Sequence, residues 1–76
     1  MVLGECPAGS HVVLRGVETH RRDRLRMAEL GFVVGARLHV ISRDVTGRIV
    51  VAVNETRLGL DGATGSALVV EAEPKW

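Results

Sequence analysis

Aromatic side chains are almost missing from this chain: its 76 residues include one Phe (Phe32), one Trp (Trp76) and no Tyr. With 46% apolar residues, the core must therefore be aliphatic, and a core of Val, Leu and Ile suits strands. Cysteine is nearly absent as well, and Cys6 alone excludes an intramolecular disulfide. Neither charge sign dominates. The net charge is +1, from 10 Lys and Arg against 9 Asp and Glu, which disfavours nucleic acid as a partner. No apolar run approaches the roughly 20 residues needed to cross a bilayer, so direct membrane insertion is not expected. Without a basic leader followed by an apolar stretch, the expected setting is cytoplasmic. The length suits a single domain over residues 1–76, near the size at which one core just suffices. Weak self-association would help such a domain.

The most informative stretch present is Glu29-Leu30-Gly31-Phe32-Val33-Val34-Gly35. Gly31 is placed to be the left-handed residue that closes a helix, and Gly35 to be the third residue of a type II turn. Upstream, residues 19–30 read as one helix with Thr19 as its cap, and Met27 and Leu30 as its buried stripe. Leu25 falls on the other side and is expected to be exposed. Arg21, Arg22, Arg24 and Arg26 crowd the early helix, where the dipole favours negative side chains. Arg22 and Arg26 are a like-charged i,i+4 pair, and Arg26 has Asp23 and Glu29 within i,i+3 reach.

The rest reads as strands. Residues 11–17 form the first, with Val12 and Leu14 inward, Val13 and Arg15 outward, and Gly16 allowing a bend. Residues 37–43 form the second, with Leu38 and Val40 inward. A turn at Asp44-Val45-Thr46-Gly47 leads into residues 48–53, where Ile49, Val51 and Val53 face in and Val50 and Ala52 face out. Asn54-Glu55 turns the chain into residues 56–60, with Leu58 and Leu60 inward. Asp61 caps a short helical turn over residues 61–66, and residues 68–71 close the set. An irregular lead-in anchored by Leu3 and a frayed tail over residues 72–76 complete the chain. The fold class is mainly β: a small, partly closed barrel of about five strands with one α-helix near residues 19–30.

Arg24, Met27, Leu30, Gly31, Phe32 and Gly35, followed by Leu58-Gly59-Leu60 and Ala67-Leu68-Val69-Val70-Glu71, resemble the pattern of the ferrous iron transport protein A (FeoA) family. The resemblance covers nearly the whole chain and implies an SH3-like barrel. It also implies a partner, the FeoB membrane transporter of ferrous iron, whose cytosolic part such a protein would engage. The chain departs from the family pattern at Val34, where proline is usual, at the shortened turn Val45-Thr46-Gly47-Arg48, and at Asp61, where a basic residue is common. A second reading is a regulatory SH3-like domain similar to the C-terminal domain of iron-dependent repressors. A third is a weak divalent-metal binder.

No nucleophile stands near a recognisable base: Ser10, Ser42 and Ser66 lack an elbow context, and Cys6 precedes Pro7 in the lead-in. Gly62-Ala63-Thr64-Gly65 has no following Lys and is no phosphate loop. The expectation is a non-enzymatic protein without a cofactor. His11, His20, His39 and Cys6 show no close metal-ligand spacing, so no metal residues are assigned and the histidines read as solvated. His20 and Asp23, at i,i+3, are the start of a two-ligand pair. The candidate partner-binding residues are Arg21, Arg22, Leu25 and Arg26 on the helix, with Val50 and Ala52, near Val13, as a second surface. Each surface has a plainer reading. The arginines form a solvated face, and the apolar pair covers a sheet edge or packs beneath the 61–66 turn.

Overall fold

The computed structural model describes residues 1–73. After a 3₁₀ turn (Leu3–Glu5) come β1 (His11–Val17), α1 (Arg21–Glu29), β2 (Arg37–Arg43), β3 (Ile49–Val53), β4 (Thr56–Leu60), α2 (Gly62–Ala67) and β5 (Leu68–Ala72). The five strands make one antiparallel sheet in the order β4-β3-β2-β1-β5. β2, β3 and β4 form a meander, and β5 returns to the far side of β1. The free side of β5 is covered by the chain's start, through a bridge from Val2 to Val69 and a hydrogen bond from Val70 N to Met1 O.

Period-two alternation sets the core. Val12 and Leu14, Leu38 and Val40, Ile49, Val51 and Val53, and Leu68 and Val70 all point inward and are buried. Leu3, Cys6, Phe32 and Leu60 complete the cluster, with Met27 and Leu58 packed against it. The core is aliphatic apart from Phe32, as the composition requires. Gly16 marks a register shift between β1 and β5. Asn54 and Glu55 both have positive φ, the backbone of a tight turn that matches strand twist.

The exit from α1 follows the glycine reading closely. Gly31, with φ +108°, donates from its N–H to Ala28 O, and Phe32 N–H donates to Met27 O, both at 3.0 Å. This is a Schellman closure. It reverses the chain so that Phe32, rather than Leu30, enters the core. Leu30 is therefore 46% exposed, which corrects its assignment to the buried stripe, while Met27 is half-buried as expected. Gly35, with φ +93°, takes the third place of a turn closed by Ala36 N–H to Val33 O, and its own N–H donates to Leu14 O of β1.

Other boundaries move. The helix begins at Arg21, because Arg24 N–H donates to His20 O and His20 is still extended; no side chain caps it, so Thr19 is not the cap. The frayed-tail expectation fails at Ala72, which pairs with Val12, and at Glu73, whose N–H donates to His11 O. Residues 74–76 lie outside the described residues. Cys6 does not belong to a loose lead-in: it is buried in the core cluster, and burial pushes its thiol pKa up.

Candidate interaction surface

The helix α1 has no buried residue. It touches the core through half-buried Met27 and is otherwise held by its ends. Arg21, Arg22, Leu25 and Arg26 are all exposed and, with Glu29, line one shallow, open depression of about 400 Å³. Helical geometry explains the grouping, since positions i, i+1, i+4 and i+5 share a face. Among the described residues the ion pairs are Arg15–Glu71 at 3.0 Å and Arg37–Glu73 at 3.4 Å. The anticipated pairing of Arg26 with Asp23 or Glu29 is thus not formed. Arg21 and Arg22 also stand at the positive end of the helix dipole, so their charge adds to a field of the same sign.

Val50 and Ala52 are half-buried on the outward face of β3. The fold does not join them to Val13, because β2 runs between β3 and β1. Val13 is itself buried, lying directly opposite Arg37 on one side and Glu71 on the other, whose side chains are tied into the two ion pairs. Its assignment to an open outward patch is corrected accordingly. Val50 instead borders a depression with Ser42, Arg48, Gly59 and Asp61.

Two arrangements escaped the sequence. A cleft separates α1 from α2, lined by Val17, Met27, Ala63, Thr64, Ala67 and Leu68 among others. The small residues of α2 were the available signal. The second is a contact between His11 and His39, whose rings stack with centroids 4.1 Å apart and planes inclined by 8°. Their separation of 28 positions hides it; His11 is exposed and His39 half-buried.

Asp61 caps α2 by accepting a hydrogen bond from Thr64 N–H at 2.8 Å, which lowers its carboxyl pKa. Asp44 accepts from Thr46 Oγ1, Thr46 N–H and Arg48 N–H, and its pKa is lowered chiefly by the Thr46 hydroxyl. The hydroxyls of Ser10 and Ser66 donate to backbone carbonyls of Pro7 and Gly62. Among the described residues no three His, Cys, Asp or Glu side chains converge on a metal-sized site. No helix among them is long and apolar enough to cross a membrane.

Residues 1–72 match the family described as the FeoA domain. The chain belongs to the FeoA family. The FeoA protein of Chlorobium tepidum is similar to it at 29% identity and a TM-score of 0.86, over 95% of this chain and 70% of that one. The zinc complex of Stenotrophomonas maltophilia FeoA is similar at 30% identity and a TM-score of 0.80, over 93% of this chain and 89% of that one. That protein is described as a prokaryotic SH3 domain protein and a candidate activating factor of bacterial ferrous iron transport. A manganese-dependent transcriptional repressor shares the fold at 23% identity and a TM-score of 0.83, over 96% of this chain and 41% of that one. No curated protein sequence matches. Membership in the FeoA family, with its SH3-like fold, relates the chain to ferrous iron transport.

Proposed function

We propose that this chain is a non-enzymatic, cytoplasmic accessory protein of bacterial ferrous iron uptake, docking as an SH3-like module on the cytosolic part of a FeoB-type transporter. The observation that carries this reading is α1: exposed Arg21, Arg22 and Arg26 with no carboxylate partner among the described residues, around exposed Leu25, on a helix with no fully buried residue. A positive face with an apolar centre fits an acidic surface on a partner protein, and such charge steers association and fixes orientation. Val50 and Ala52 would serve as a second, smaller contact. Docking changes transport only by binding two transporter states with different affinity.

Binding of the full chain to the transporter's cytosolic part, compared with that of the Arg21→Glu, Arg22→Glu double variant, tests the proposal. Loss of binding in the variant is expected, together with a steep fall of wild-type binding with salt. Equal binding by both would remove α1 from the interface. A second reading is favoured by the likeness to the repressor: a regulatory module acting on a transcription factor. Co-purification from cells separates the two, by recovering a transporter or a regulator.

A further inference from the structure

We infer that His11 and His39 form a two-imidazole site for a divalent transition-metal cation on the outward face of the sheet. The inference uses no residue of α1 and stands apart from the transporter reading.

The two histidines are directly paired across β1 and β2. Val40 N–H donates to Ser10 O at 2.9 Å, one position beyond the pair, which makes His11 and His39 a non-hydrogen-bonded pair. At such positions side chains on neighbouring strands come closest, and the 4.1 Å ring separation reflects this. Two ligands at roughly 2.0–2.1 Å in tetrahedral geometry place their nitrogens about 3.3 Å apart. Convergence of the two lone pairs on one ion therefore requires both rings to leave the stack, each turning by roughly 55° toward the other. The surroundings permit it: His11 is exposed, and the residue opposite His39 on β3 is Ala52, whose methyl leaves the ring free to swing.

Charged groups of both signs surround the pair. Glu73 lies across from His11 on the β5 side, through its N–H to His11 O bond of 3.0 Å, and its carboxylate meets Arg37 Nε at 3.4 Å. Arg37 faces Val13 two pairs along, Glu71 lies beyond Val13, and Arg57 stands across from Ala52. With Glu73 engaged by Arg37, the imidazoles are the protein ligands and the remaining positions fall to water. Two neutral imidazoles suit borderline ions, with Cu²⁺ bound most tightly, Ni²⁺ and Zn²⁺ next, and Fe²⁺ and Mn²⁺ less well. Only unprotonated rings ligate, so acid releases the ion.

The test is titration of the full chain with Cu²⁺ at neutral pH, read by calorimetry and by electron paramagnetic resonance. The variants are His11→Asn, His39→Asn and, as control, His20→Asn, each checked for folding by circular dichroism. One saturable ion per chain with the nitrogen splitting of two imidazoles is expected, lost in either pair variant and kept in the control. In the wild-type protein, Zn²⁺ should move the ring nitrogen resonances of His11 and His39 together and leave those of His20 in place. Binding kept in either pair variant, binding lost in the control, or no saturable binding would overturn the inference.

Discussion

Gly4 and Gly65 pack backbone against backbone: a Cβ on Gly65 would stand 3.3 Å from Gly4 Cα and 3.4 Å from Ile49 Cδ1. The closing helix α2 thus rests on the opening 3₁₀ turn with no side chain between them, and this contact ties the two ends of the described chain together. Gly65→Val should cost about 1–3 kcal/mol by overpacking. Urea unfolding reads it as a lower midpoint with an unchanged slope.

The Schellman closure at Gly31 gives two neighbouring residues opposite fates. Phe32→Ala should lose about 3–5 kcal/mol, since it empties the largest buried position. In a domain this small, that is a large share of the total stability. Leu30→Ala, two residues earlier, should stay within about 0.5 kcal/mol. Thermal melts of the two variants decide the matter, and equal losses would place Leu30 in the core after all.

At Gly31 itself an added Cβ would run into the Asn54 side chain and sit 3.3 Å from Val53 Cγ2, at a φ of +108°. Gly31→Ala is expected to destabilise by about 1–3 kcal/mol, through backbone strain that repacking cannot relieve. Removing the Asn54 obstruction with Asn54→Ala in the same chain should leave most of that loss in place. Full recovery would show that contact, not φ, sets the cost.

Asp44 and Asp61 both have carboxyl pKa values lowered from 3.8 by hydrogen bonds to their ionised forms. Their contribution is fully present above the ordinary carboxylate value and is lost as pH falls through the lower folded values. The Asp44→Asn, Asp61→Asn double variant keeps side-chain oxygen acceptors and removes both titrations. Between about pH 6 and about pH 2 its melting temperature should fall less than that of the wild type. Parallel curves would mean that neither cap responds to acid.

Arg21 and Arg22 occupy the first two positions of α1, where positive charge opposes the dipole. Replacing each with Glu should raise stability by about 0.3–1 kcal/mol at low salt while weakening partner binding. A gain in melting temperature accompanied by lost binding would mark these arginines as retained for recognition rather than for folding. A fall in melting temperature would contradict that assignment.

What the amino-acid sequence determined by itself is local or periodic. Alternation of Val, Leu and Ile placed every strand within a residue or so, Gly31 and Gly35 announced their positive φ, and Asp61 announced its cap, because each depends on backbone preferences within a few positions. The exposure of Leu25 and of the α1 arginines was legible for the same reason. Tertiary structure alone decided which residues meet across the sheet. Register buried Val13 between Arg37 and Glu71, separated it from Val50 and Ala52, and set His11 against His39. These outcomes depend on strand pairing between distant segments, which no local preference encodes and which a shift of one residue would reverse.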